Sequence, residues 1–579
     1  MPYKVAGHDI VLDPAEAARM LQHDEVIGID LETTGFSPFK DKIALIQLYG
    51  DQSGAAAAMQ TPGGFIPAPI KDLIESGKKL IVHNGVGFDI PFLHTHGVDV
   101  KRASWHDTLV AETAIVTTNR RNVRVNLAAS VKRRLGMEVD KSIEHGHWAA
   151  DELSPEQIEY AIQDVIHLPA LMRSQLERAE DSGASQGLQM EMDLILPVAF
   201  MTINGMPFSK EKFKEYIARQ HQLRDEATKA LRVEFGDINI RSPKQIGEAL
   251  VNKGVPLPFT PKGQPTTKAE VLEYIAEVGG ENGRLCNLVL AVRTPDQRIK
   301  VYDEEWADDF VVDGYVHAKF WQCGADTTRF TSSNPNLQQI PRDMRGVFGW
   351  VPGHKMVTPD YSQIEVLISA AIAQDTAMLD ELNKGGDIHS LVGDRVLGIS
   401  DMNVEERKLA KAIVFTLLFG GGVKKIIEYV HISGIDISDD EVYKFVRTFF
   451  DVFPGIKAMR EKARNQTVNR RMITVRLPSG LKRTIVGKKV RPPVLINTLV
   501  QGTAAVGIKY ALLEAWDRGI ADPYIRSQVH DELPSLVPDS EVKDFMREIE
   551  DVMKVGMEKA ISCPCQVEIK VRADEEWLS

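Results

Sequence analysis

The chain has 579 residues, 43% of them apolar, a formal net charge of −12 and four cysteines; it is too long for one core, and three or four domains are expected. The acidic balance excludes a protein that coats nucleic acid indiscriminately, but not one with a local basic groove. No run nears the roughly 20 apolar residues that span a bilayer, the N-terminus MPYKVAGHDIVLDPAEAARM does not read as a signal peptide, and Cys286, Cys323, Cys563 and Cys565 are too oddly spaced for a disulfide framework or zinc site, so a reducing, cytoplasmic setting is expected.

Residues 1 to about 185 read as an α/β unit. VIGIDLETTG and IALIQLYG are strand runs around a Gly/Pro turn, KKLIVHNG is a third, and helical patterns follow from about Ser154. Asp30 and Glu32 alternate along the first strand, so both side chains leave one face and can share a metal. Asp89 lies in HNGVGFD; Tyr160 and Asp164 lie one helical turn apart in YAIQD. From 187 the texture changes to long helical stretches, GLQMEMDLILPVAFMTIN and SKEKFKEYIARQHQLRDEATKALRVEFG. SPKQIGEALVNKG opens with the capping pair Ser242 and Pro243 and ends at Gly254. Strands return from about 311, give way between about 375 and 490 to a largely helical insertion, and resume with YIRSQVHDELPSLV and CQVEIKVRA. There is no internal repeat, and GAAAAMQ is the one low-complexity stretch.

Two strand-like runs in the C-terminal half deliver acids at their ends. MVTPDYSQIE carries Asp360, and IRSQVHDEL carries Asp531 between His530 and Glu532. Acids often end strands at turns; alternatively, two such carboxylates brought together repel unless divalent cations lie between them. Such a pair suits phosphoryl transfer by two ions about 4 Å apart. In the insertion, ERKLAKAIVFTLLFGGG reads as a helix with Arg407, Lys411, Phe415 and Phe419 in steps of four on one face. That face is either core with snorkelling cations, or a nucleotide platform with cations on phosphates and a ring against base or sugar. Ten Lys and Arg side chains between 462 and 491, Arg476 and Arg483 among them, read as a solvated basic face or a phosphate track.

DYSQIE, the Arg407 to Gly420 segment and QVHDEL resemble motifs A, B and C of family A DNA polymerases, in order and at the right separations. TTRFTSSNPNLQQIP, NTLVQGTAAVGIK, GDIHS and RSPKQIGEAL resemble further elements of that family, and the likeness runs from Glu191 to Trp577. It implies that Asp360, Asp531 and the carbonyl of Tyr361 hold two Mg²⁺ ions, with Glu532 a nearby acid. It further implies that Arg407, Lys411 and His389 bind the triphosphate, and that Gln363, Phe415 and Phe419 line the nucleotide site. Glu365 would close the place of a ribose 2′-hydroxyl, and Arg329, Asn497, Gln501 and His530 would touch primer and template. The chain departs from the family with Val414, Thr416, Phe419, Leu367 and Val506.

The first unit resembles the DnaQ-like 3′→5′ exonucleases that proofread in this family. The likeness makes Asp30, Glu32, Asp89 and Asp164 ligands of two further metals and gives Tyr160 the attacking water. The fold implied is an RNase H-like exonuclease domain (1–186), then a right-hand polymerase: helical thumb (187–310), palm with an antiparallel sheet (311–374 and 495–579) and fingers (375–494). The implied function is template-directed DNA synthesis with proofreading, by a large-fragment or phage-type enzyme without a 5′-nuclease domain. Expected partners are primer-template DNA and dNTPs, with no membrane, a monomeric state, and helicase or single-strand-binding protein left open. An RNase D-like nuclease with a non-catalytic C-terminal region is the alternative.

Overall fold

The computed structural model describes residues 3–5, 8–116, 123–139, 148, 153–433, 437–562, 569–574 and 576–577; Cys563 and Cys565 lie outside them. The first unit is built on a seven-stranded sheet of β1 (Tyr3–Val5), β2 (His8–Val11), β3 (Val26–Thr33), β4 (Ile43–Gly50), β5 (Ala56–Gln60), β6 (Lys79–Val82) and β7 (Ser104–Asp107), in the order β1-β2-β5-β4-β3-β6-β7. The three strands expected from sequence form its centre, with β3 antiparallel to β4 and parallel to β6. The other four are short or alanine-rich and carry little β signal.

The helix Pro155–Ile166 starts at a full capping box, Ser154 and Gln157 each bonding the other's backbone. It lies directly on β3: a Cβ on Gly28 would stand 2.8 Å from the carbonyl oxygen of Val165, so only glycine allows the approach. This contact lays the helix of Tyr160 and Asp164 across the strand of Asp30 and Glu32.

Beyond Gly183, the stretch expected as one helical run is two helices, Ser185–Asp193 and Ile195–Asn204. The helix Lys210–Phe235, capped by Ser209, packs along Gly280–Val301. Between them stand Pro243–Asn252, capped by Ser242 as expected, and Ala269–Val278, around a separate small core of Leu231, Ile246, Leu272 and Val289.

The second sheet places His354–Tyr361 between Ser535–Pro538 and Ile569–Asp574, antiparallel to both. Behind it the helices Pro492–Asp517 and Val542–Ile561 approach so closely that a Cβ on Gly556 would meet the backbone nitrogen of Ala511 at 2.4 Å. Among its described residues the insertion of 375–490 carries six α-helices but ends in a hairpin, Met472–Arg476 with Lys482–Val486, where helix was expected.

Two cations of the basic run, both in that hairpin, bond main-chain carbonyls. Arg483 is buried and donates to the carbonyl of Ala114 at 3.0 Å, and Arg476 donates to the carbonyl of Gly183 at 2.7 Å. Both cations tie the C-terminal region to the first unit. Phe39 stacks on His317 at 3.6 Å between ring centroids, Lys101 pairs with Asp522, and one apolar cluster takes in residues from Ala17 to Trp577. Among the described residues no helix is long and apolar enough to cross a membrane.

At the centre of the second half, Lys509 and Glu191 form a fully buried ion pair. Gln322 donates to Glu191, and the Lys509 ammonium lies 5.6 Å from the Phe330 ring centroid. Removing one partner leaves an uncompensated buried charge. Lys509→Met is therefore expected to cost about 3–5 kcal/mol in guanidinium unfolding, and Glu191→Leu added to it should recover most of that loss.

Candidate active sites

In the first unit, Asp30, Glu32 and Asp164 each offer a carboxylate oxygen within 4.8 Å of the other two. The β3 alternation and the helix seated on Gly28 produce this convergence, as the sequence spacing predicts. Tyr160 sits one turn before Asp164, its ring centroid 6.3 Å from that of Trp148. Asp89 stands outside the three-acid group, at the first turn of Asp89–Thr95, and is 2% exposed. Burial first, and then the charge of Asp107, push its carboxyl up to about 8. Its Oδ1 is buried without a hydrogen-bond partner. An orphaned carboxylate oxygen beside three converging acids fits a divalent-cation site.

Asp107 was not singled out in the sequence. It is fully buried at the end of β7 and accepts from the backbone N–H groups of Asn84, Val86, Leu109 and Val110. An Asp before a helix is the one local signal it carries. Phe36, four residues past Glu32, leaves its ring 79% exposed, a face on which an unpaired base can stack.

In the second half, Asp360 lies in the strand His354–Tyr361 as expected, but Asp531 does not end a strand. Val529 and Glu532 bridge each other, His530 between them has φ of 53°, and Glu532 bridges to Asp360. The segment is a tight turn docked on the edge of the sheet, and the turn aims Asp531 back at the strand. Asp531 is pushed up to about 6, first by burial and further by the charges of Asp360 and Glu365, while Arg329 pulls it down. The two acids thus feel each other's charge, the condition that a bound cation relieves. Tyr361 turns its side chain into the core, its hydroxyl donating to the carbonyl of Met553 at 2.6 Å.

Around these acids the structure supplies partners that sequence reasoning missed. Arg345, 5% exposed, pairs with Glu532 at 3.1 Å and stacks 4.3 Å from the ring centroid of the buried Trp577. Glu365 is held by Arg329 at 3.1 Å. His530 is lowered by burial and by the cations Arg345, Arg329 and Arg342.

The helix Val404–Leu418 carries Arg407, Lys411 and Phe415, with Phe419 just past its end. Phe415 and Phe419 stack at 5.9 Å, His389 lies 5.8 Å from Phe415, and the Lys411 ammonium stands 5.9 Å from the same ring. Arg407 pairs with Asp387 at 2.8 Å. Burial raises the Asp387 carboxyl, but Ser390, His389 and Arg407 outweigh it and hold it below the usual range. Gln363, at a left-handed φ of 51°, and Asn497 each bury a side-chain oxygen without a hydrogen-bond partner; Gln501, a turn on from Asn497, is half-buried. Of the five departures from the family pattern, Val414, Leu367 and Val506 are buried core positions.

The family model for DNA polymerase family A matches residues 208–579, and that for 3′–5′ exonuclease matches residues 11–178. The chain is 28% identical to DNA polymerase I of Aquifex aeolicus, over 97% of each. To DNA polymerase I of Pseudomonas aeruginosa it is 27% identical, over 94% of this chain and 63% of that one. To that of Streptococcus pneumoniae it is 30% identical, over 69% of this chain and 46% of the other. Among solved structures, the POL domain of Pol1 from M. smegmatis, in complex with DNA primer-template and dNTP, superposes with a TM-score of 0.81 at 22% identity, covering 98% of this chain and 99% of that one. The chain therefore belongs to DNA polymerase family A, a DNA-directed DNA polymerase that carries a 3′–5′ exonuclease domain.

Proposed function

We propose that the protein extends a primer 3′ end with dNTPs on a DNA template at Asp360 and Asp531, and excises mispaired 3′ nucleotides at Asp30, Glu32, Asp89 and Asp164. The observation that carries this reading is the turn at 529–532, which bridges to Asp360 and sets Asp531 beside it. The division into exonuclease (1–186), thumb (187–310), palm (311–374 and 495–579) and fingers (375–494) follows the same reading. Mg²⁺ ions held by these acids and by the Tyr361 carbonyl would activate the attacking oxygen and screen the charge that develops on phosphorus.

The chain's own groups do the rest. Arg407 and Lys411 take triphosphate oxygens, Arg407 exchanging its Asp387 partner for phosphate. His389 adds a ring nitrogen buried without a hydrogen-bond partner. Phe415 and Phe419 form the apolar wall for sugar and base. Arg345 holds Glu532 and thereby fixes the turn that carries Asp531. Asn497, Gln501, His530 and Arg329 face the primer terminus, where minor-groove contacts tolerate any correct pair. In the exonuclease domain Tyr160 orients the attacking water.

A primer-extension assay with dNTPs tests the reading: elongation is expected, and shortening alone would leave only the nuclease. Asp360→Asn and Asp531→Asn should each lower extension by at least about a hundredfold and leave excision intact; appreciable extension by both would sink the assignment. Asp30→Ala with Glu32→Ala should extend primers but stop degrading single-stranded 3′ ends.

Phe415 lacks the hydroxyl that a tyrosine would offer near the place of a missing 3′-hydroxyl, so dideoxynucleotides should be disfavoured. Phe415→Tyr should relax this, read as the ddNTP to dNTP ratio of kcat/KM; an unchanged ratio refutes the placement of the helix. Glu365→Ala should raise CTP use relative to dCTP by about tenfold or more. The overall rate should fall as well, because the change releases Arg329. Equal ratios in variant and wild type would place the sugar gate elsewhere.

A further inference from the structure

The acids of the exonuclease site repel the polyanion they are to cut, and a cation near Asp89 comes from outside the domain. The strand Lys319–Trp321, paired with Thr331–Ser333, packs against the turn Gly85–Gly87 immediately before Phe88 and Asp89. From it the ammonium of Lys319 stands 5.4 Å from the Phe88 ring centroid. Lys319 is half-buried, and its charge acts on Asp89.

An ammonium cradled by an aromatic face next to the acids is placed to take a phosphate oxygen. We propose that Lys319, supplied by the polymerase half, is a DNA-positioning residue of the exonuclease site that holds a phosphate of the strand whose 3′ end lies over Asp30, Glu32 and Asp164. This rests on the excision activity proposed above. It makes 3′-end capture a property of the docked halves rather than of the exonuclease fold alone.

The test uses the full chain with Lys319→Met, which keeps an unbranched apolar stem over Phe88, and Lys319→Arg, which keeps the charge. Excision of a single-stranded oligonucleotide should show KM raised about tenfold with kcat nearly unchanged for Lys319→Met, and near wild-type values for Lys319→Arg. Binding of the same oligonucleotide in EDTA should weaken by a similar factor. Its dependence of log affinity on log salt should flatten by about 0.7. Unchanged KM and metal-free affinity, a loss in kcat alone, or failure of Lys319→Arg to rescue would each overturn the proposal. If the wild type did not excise at all, the excision reading itself would fail. The EDTA binding and its salt slope would still report on Lys319.

Discussion

Carboxylates gathered at a point repel one another, and both sites exist only because the fold bears that repulsion. In the exonuclease domain, a strand and a helix locked together at Gly28 hold Asp30, Glu32 and Asp164 in place. Deeper in, burial raises the Asp107 carboxyl and four backbone N–H donors partly offset that, while its neighbour Asp89 is pushed up to about 8. In the polymerase half, arginines do this work: Arg329 acts on Asp531 and Arg345 on Glu532. Rigid backbone fixes where the acids stand; burial raises Asp89, Asp107, Asp531 and Glu532, and hydrogen bonds and cations partly offset it.

Two arginines of the polymerase half already have carboxylate partners. Arg407 rests on Asp387 and Arg329 on Glu365. On the function proposed above, nucleotide binding at Arg407 exchanges a carboxylate for a phosphate rather than capturing a free charge. The aromatic pair of Phe415 and Phe419 fixes the apolar side of the same face.

What could be read from the sequence divides along physical lines. Asp30 with Glu32, and Tyr160 with Asp164, follow from strand and helix periodicity, and the structure places them as that periodicity implies. Asp531 could be located but not described. A run of β-type residues looks alike whether it is one strand or two arms of a tight turn, and the left-handed backbone at His530 leaves no composition signal. Arg345 carries no pattern because its role comes from contacts remote in the chain, and Asp107 carries only that of an Asp ahead of a helix. The basic run could not be resolved for a related reason. Counting charge cannot separate an arginine that meets phosphate from one, like Arg483, that satisfies a buried carbonyl.

Those arginine contacts bear on what a broken chain would do. The two halves are joined covalently near Gly183, but they also share Arg476 and Arg483 on main-chain carbonyls, the Phe39–His317 stack, the Lys101–Asp522 pair and one continuous apolar cluster. A protease that nicked the connection would therefore not set the exonuclease free. The fragments would co-elute as a complementing pair until salt and denaturant together dissolved the seam, because ionic strength weakens only its exposed charged contacts and leaves the apolar ones in place.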